Sequence, residues 1–187
     1  MHELFSAIAK LSPLTEDELA EFSHALQLRI CKKGETVLHA NSINRKLYFI
    51  NNGLLKVAFL KDDKEFVMKF FATHEFCAVL DSLVTGKPSN YTIVALVDTE
   101  LVEIDFAELG RLASQSKSFE KIISGISSRA THKMMARIRE LLETDAAERY
   151  VSFQEQNKHL VNLITLKDLA AYLGISQVSL SRIRAKR

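Results

Sequence analysis

Hydrophobic positions change their period twice along this chain. In the opening stretch "MHELFSAIAKLSPLTEDELAEFSHAL" the pattern predicts two short helices. The second is capped by Thr15, with Glu16, Asp17 and Glu18 crowding the first turn, where the helix dipole favours negative charge. From about residue 27 to 105 the texture is different: "LQLRI", "TVLHA", "KLYFI", "GLLKVAFL", "EFVMKFF", "YTIVAL" and "ELVEI" are short runs rich in Val, Ile, Leu, Phe and Tyr. Turn formers separate them at Lys33-Gly34, Asn51-Asn52-Gly53 and Lys61-Asp62-Asp63-Lys64. Short strands punctuated in this way predict an antiparallel sandwich or barrel.

Beyond Asp105 the period becomes helical. Phe119, Ile122, Ile123, Ile126, Ala130, Met134, Ile138, Leu141 and Leu142 recur at intervals of mostly three and four, one continuous apolar stripe on a helix over 117–143. A stripe of that length exceeds what one small barrel can cover. Two copies packing stripe to stripe would satisfy it, with Phe119, Ile122, Ile126, Ala130, Met134, Ile138 and Leu141 as the dimer seam. A long core helix within a monomer is the alternative. A further helix is expected over roughly 144–157.

The chain ends in "LKDLAAYLGISQVSLSRIRAKR". Thr165 ahead of Leu166-Lys167-Asp168 is a capping pattern for a helix through Leu173. Gly174 supplies a left-handed exit, and Ser176 caps the next helix from Gln177. Leu169, Leu173, Ile175, Leu180 and Ile183 can form a small core, with Ala170 at the closest approach. This is the pattern of a helix-turn-helix, whose second helix reads the major groove of duplex DNA. Gln177, Val178, Ser181 and Arg182 are then the base-reading candidates, since Arg grips guanine and Gln grips adenine through paired hydrogen bonds. Lys167, Arg184, Lys186 and Arg187 are candidate phosphate contacts, which position without specifying sequence.

Charge distribution strengthens that reading. The whole chain of 187 residues carries a net charge of only +2. Residues 1–110 hold 11 basic and 16 acidic side chains, and residues 111–187 hold 14 and 7. An acidic first part joined to a basic second part points to a nucleic-acid partner for the second, against the plainer reading of a solvated basic tail. No run approaches the ~20 apolar residues of a membrane span, so no membrane partner is expected. The opening residues lack a basic stretch followed by an apolar one, so no signal peptide is expected. Cys31 and Cys77 are too few for a disulfide framework, and a reducing cytoplasm is the expected location.

A β-rich region, a long helix and a terminal helix pair, in that order, resemble the bacterial cyclic-AMP receptor protein and fumarate-nitrate regulator superfamily of transcription factors. The resemblance covers nearly the whole chain and rests on "KLYFINNGLLKVAF", "ELVEID" and "LAAYLGISQVSLSRI". It implies an α+β fold: a jelly-roll-like β-roll sensor over 1–116, a dimerisation helix over 117–143 and a helix-turn-helix DNA-binding domain over 144–187. It also implies a homodimer on palindromic double-stranded DNA, with RNA polymerase as a further partner. Relatives often continue into a β-hairpin wing; this sequence stops at Arg187, which would give dimerisation and the basic tail more weight in affinity.

The cyclic-nucleotide cassette of such proteins reads roughly Phe-x-Gly-Glu and then Pro-Arg-Ser-Ala, against "FCAVLDSLVTGKPSNYT" here. Phe76 and Pro88 match, but Ala78 and Val79 stand for Gly-Glu and Ser89 for the phosphate-binding Arg. The loss of Glu and Arg removes a ribose acceptor and a bidentate cation, and Lys87 offers only a point charge. Met134 and Met135 stand where relatives place hydroxyl residues. Cyclic AMP in the usual manner is therefore not expected, and the cofactor is unidentified. Asp81, Ser82, Ser89, Asn90 and Tyr91 are the polar groups of a candidate effector pocket that also includes Ala78, Val79, Met134 and Met135.

Two isolated cysteines cannot supply the thiolates of an iron–sulfur cluster. His74 and Cys77 lie three apart, a weak spacing that reads first as filler or solvent-facing side chains, with a haem ligand at either as the alternative. No Ser-His-Asp constellation, phosphate-cradling loop or zinc motif is present, so catalysis is not expected. The competing class is a small-ligand module, for a cyclic nucleotide or another effector, whose terminal helices mediate protein contacts.

Overall fold

The alternating runs form strands because each can bury one or both faces of a sheet. The computed structural model describes residues 1–185; Lys186 and Arg187, assigned above to phosphate contact, lie outside the described residues. Two helices open the chain, α1 (His2–Ala9) and α2 (Glu16–Ser23), the latter with the Thr15–Glu18 capping box. Eight strands follow: β1 (Leu26–Cys31), β2 (Thr36–Leu38), β3 (Lys46–Asn52), β4 (Leu54–Lys61), β5 (Lys64–Ala72), β6 (Phe76–Cys77), β7 (Tyr91–Ala95) and β8 (Thr99–Asp105). A short helix, α3 (Leu80–Thr85), interrupts them between β6 and β7. Then come α4 (Phe106–Gln115), α5 (Lys117–Glu143), α6 (Ala146–Gln156), α7 (Leu166–Leu173) and α8 (Gln177–Ala185).

The strands make two antiparallel four-stranded sheets, ordered β1-β8-β3-β6 and β2-β7-β4-β5. Between them lies a closed apolar core that includes Tyr48, Ile50, Leu55, Val57, Val79, Ile93 and Leu101. The expected β-roll, long helix and terminal helices are all present. The sequence reading lacked β6, which at two residues shows no period, and α4, whose start is capped by the Asp105 side chain.

Each sheet also has an apolar outer face, and different helices cover the two. Leu47, Phe49, Val102 and Ile104 pack beneath α1, α2, α4 and the first turns of α5, where the Phe22 and Phe119 rings lie 5.5 Å apart. On the other sheet, Leu54, Ala58, Val67 and Phe70 pack against Tyr150, Phe153, Leu169, Leu173 and Leu180. The terminal helices therefore share a core with the β4–β5 hairpin. A two-helix unit alone buries little apolar surface, and area removed from water is what stabilises it.

Gly53 links β3 to β4 with φ +126°, and an added Cβ would sit 2.7 Å from the Thr99 backbone Cα. The Leu54 N–H donates to the Thr99 hydroxyl at 3.2 Å across the same junction. Gly53→Ala combines backbone strain with overpacking, and it should cost about 2 kcal/mol or more of stability. A urea denaturation midpoint equal to that of the unsubstituted chain would contradict this.

Candidate nucleic-acid interface and effector cleft

The terminal pair is built as its capping residues dictate. The Thr165 hydroxyl accepts from the Asp168 N–H at 3.1 Å to start α7. Gly174, at φ +75°, ends it. The Ser176 hydroxyl accepts from the Ser179 N–H at 3.1 Å at the start of α8. Leu169, Leu173 and Leu180 are buried and Ile175 and Ile183 partly so. Gln177, Val178, Ser181 and Arg182 come together on the opposite, solvent face of α8, in keeping with their helical spacing. Lys167 on α7 and Arg184 on α8 are also exposed.

What holds α7 in place is partly ionic. Lys56, in the middle of β4, points out of the roll with only 10% of its side chain exposed. Its ammonium lies 2.6 Å from an Asp168 carboxylate oxygen and 2.9 Å from each carboxylate oxygen of Glu65. Burial works to lower the Lys56 pKa, but the bonds to Asp168 and Glu65 outweigh it and leave it above the ordinary lysine value. At the other end of α7, Arg137 of α5 donates to the Tyr172 carbonyl and stacks 3.8 Å from the centre of its ring. Arg149 of α6 donates to the Leu173 carbonyl at 3.2 Å. Cations at a helix C-terminus complement its dipole and satisfy carbonyls that lack helical partners. The sequence reading missed this set; its one visible signal was a lysine inside the otherwise apolar run "GLLKVAFL".

The apolar stripe of α5 divides in two. Phe119 and Ile122 are each 1% exposed, spent on the chain's own core, and Ile126 and Ala130 are half-buried. Their burial takes Phe119 and Ile122 off the free part of the stripe. Met134, Ile138 and Leu141 stand exposed, and so do Met135 and Leu142.

Within the candidate effector region the placements also separate. Val79 is 3% exposed and its side chain is part of the inter-sheet core. Ala78 packs on the opposite side, toward α1, α2, α4 and α5. Ser82 is buried as a loop tie, accepting from the Asn44 N–H at 2.9 Å and donating to the Lys87 carbonyl at 2.6 Å. A cleft of about 260 Å3 remains, lined by Phe59, Asp81, Pro88, Ser89, Asn90 and Tyr91. In it the Ser89 hydroxyl donates to Asp81 at 2.9 Å, so the acceptor facing the cleft is a carboxylate. The Tyr91 phenol is pushed up by burial and then by Asp81. Met134 and Met135 are on the exposed flank of α5 and outside this lining.

Lys69, Glu75 and Lys133 cluster where β5 faces α5, with Lys69 3.5 Å from Glu75 and Lys133 bonded to the same carboxylate. Burial tends to raise the Glu75 carboxyl, and the two lysines override it and hold it below its ordinary value. Cys31 and Cys77 are both free and fully buried, and burial pushes both thiols up, away from the reactive thiolate. His74 lies exposed at φ +67°, stacked on Phe49 and 3.7 Å from Glu3. Among the described residues no group of three or more His, Cys, Asp or Glu is placed to hold a metal ion, and no helix is long and apolar enough to cross a membrane.

Residues 28–116 match the family described as cyclic nucleotide-binding domain. No curated protein matches the chain. Among solved structures, FixK2 from Bradyrhizobium japonicum is similar at a TM-score of 0.75 and 15% identity, covering 86% of this chain and 83% of that one. A transcriptional regulator described as of the crp/fnr family from Eubacterium rectale gives 0.77 and 19%, covering 92% and 83%. The c-di-GMP responsive global regulator CLP of Xanthomonas campestris gives 0.71 and 18%, covering 92% and 91%. At such identities the likeness is one of fold.

Proposed function

We propose that this chain, a cyclic nucleotide-binding domain at residues 28–116 carried in the fold of crp/fnr regulators, is a homodimeric, sequence-specific DNA-binding transcription regulator. The observation that carries the reading is the free outer face of α8. Its inner face is seated through Leu180, 1% exposed, while Gln177, Val178, Ser181 and Arg182 remain open to solvent. Arg182 is assigned to guanine and Gln177 to adenine, with Ser181 and Val178 completing the base contacts. Lys167 and Arg184, with the terminal Lys186 and Arg187, take the phosphates. The exposed Met134, Ile138 and Leu141 form the seam with a second copy, and the half-buried Ile126 and Ala130 border it. Two heads in one dimer read a palindrome at half-sites ~34 Å apart. RNA polymerase is a further partner of a DNA-bound regulator, and the cytoplasm is its place of work.

The sensor does not take cyclic AMP in the usual way. Val79 puts an apolar side chain into the packed core where relatives carry the ribose-binding carboxylate, and Ser89 brings no positive charge. Asp81 adds a carboxylate to the remaining cleft, which disfavours a phosphate there. An effector, if it enters this cleft, approaches Asp81, Ser89, Asn90 and Tyr91. Exposed Leu163, Leu166 and Val178 favour a second reading, in which the terminal helices contact a protein. Salt separates the two readings, because neutralised phosphates give a steep fall of affinity with salt.

Arg182→Ala should relax preference at one base position per half-site by ~1–3 kcal/mol, measured by competition with single-base operator variants. Unchanged preference would remove Arg182 from base reading. Leu141→Glu, at a position 46% exposed in the single chain, should leave folding intact and shift the sedimentation profile toward monomer. A profile identical to the parent chain would discredit the seam.

A further inference from the structure

The cleft beside α3 brings the Asp81 carboxylate and the rings of Phe59 and Tyr91 to one opening of about 260 Å3, with no lysine, arginine or histidine among its lining residues. Asp81 forms no ion pair among the described residues. Its carboxylate is fixed from behind, because the Ser89 hydroxyl donates to one oxygen at 2.9 Å. Ser89 is itself anchored and only 4% exposed: its carbonyl accepts from the Asn41 N–H at 2.7 Å, and its N–H donates to the Ser42 carbonyl at 3.1 Å. The Phe59 and Tyr91 rings stand at 85° with 5.6 Å between centres, so they form a corner. An edge-to-face contact leaves the faces of the ring that presents its edge uncovered by its partner. Phe66 stacks on Phe59 at 5.3 Å, and the Lys64 ammonium lies 5.0 Å from the Phe66 ring centre. The chain thus already sets one cation on this ladder of rings.

We infer that the cleft binds a small quaternary ammonium compound of about the size of choline, its positive head held between the Asp81 carboxylate and the Phe59–Tyr91 corner. The inference rests on the reading above that the sensor does not take cyclic AMP in the usual way. Charge sign decides against an anion, since nothing in the lining balances Asp81. A divalent metal ion needs several oxygen ligands, and no group of three or more His, Cys, Asp or Glu is placed to hold one among the described residues. A primary ammonium brings three N–H donors that each need an acceptor. The methyl groups around a quaternary nitrogen need none, and they bury against ring faces with the charge attached. The volume lies below the ~300–1,000 Å3 of drug-sized sites, which calls for a compact ligand. The Tyr91 phenol registers the local field, pushed up by burial first and by Asp81 next. At longer range, residues 1–110 hold 16 acidic against 11 basic side chains, a bias that favours cations.

NMR of the full chain, titrated with choline chloride, tests this. Dimethylbutanol, the uncharged carbon isostere of choline, is the paired probe, and ethanolamine and cyclic AMP are run beside it. Choline should shift the signals of Phe59, Asp81, Asn90 and Tyr91 to saturation, and the isostere and ethanolamine should each bind about tenfold more weakly or worse. Asp81→Asn, at an exposed position and with the acceptor for Ser89 kept, should weaken choline about tenfold and leave the rest of the spectrum unchanged. Tyr91→Leu should do the same from the aromatic side. Absence of saturation with choline, or equal affinity for either the isostere or ethanolamine, overturns the inference. Cyclic AMP saturating the same signals overturns the sensor reading with it, whereas failure of choline and cyclic AMP together removes the ammonium ligand and leaves that reading standing.

Discussion

Strand β4 must be covered on both faces. Leu55 and Val57 point into the inter-sheet core, and Leu54, Lys56 and Ala58 point outward, with the whole run from Leu54 to Ala58 buried. Apolar surface left in water costs roughly 25 cal/mol per Å2, so an uncovered outer face would work against the fold. Helices α6, α7 and α8 supply the cover. Lys56 makes the requirement stricter, since a buried ammonium demands acceptors and Asp168 is one of them. The place of the terminal pair, and the outward aim of α8, follow from this one strand.

The same arrangement explains how charge is partitioned. The acidic groups of the first part include Glu65, which helps hold Lys56, and Glu75, which holds Lys69 and Lys133. The basic excess of the second part is divided between internal ties and an open surface. Arg137 and Arg149 are spent on carbonyls of α7. Lys167, Arg182 and Arg184 remain exposed, and they are the groups to which the proposed phosphate and base contacts are assigned. The cleft beside Asp81 has the opposite character. Its lining is one carboxylate, two aromatic rings and small polar groups, within a region that matches the cyclic nucleotide-binding domain family.

Much of the fold was legible because period is a strong signal. The alternating runs, the stripe of α5 and the Thr165, Gly174 and Ser176 punctuation each predict an element from local physics. What was hidden depends on contacts distant in sequence. The burial of Phe119 and Ile122 beneath α2 and α4 cannot be read from a stripe that continues unbroken to Leu142. The Lys56–Asp168 pair joins residues 112 positions apart. Only the unbroken run around Lys56, with no polar alternation, hinted that β4 is buried on both sides. Of the residues expected at an effector pocket, Asp81, Ser89, Asn90 and Tyr91 line one cleft, whereas Val79 belongs to the core and Ser82 to a loop tie, placements set by contacts that local pattern does not carry.

The central claim is that a second copy of this chain and the free face of α8 together read DNA without the usual nucleotide. Selection of bound duplexes from a randomised pool, run with and without cyclic AMP, addresses it most directly. The account predicts enrichment of the same two-fold palindrome in both arms, with half-site centres one helical turn apart. Enrichment only in the presence of cyclic AMP, or no enrichment in either arm, would contradict it.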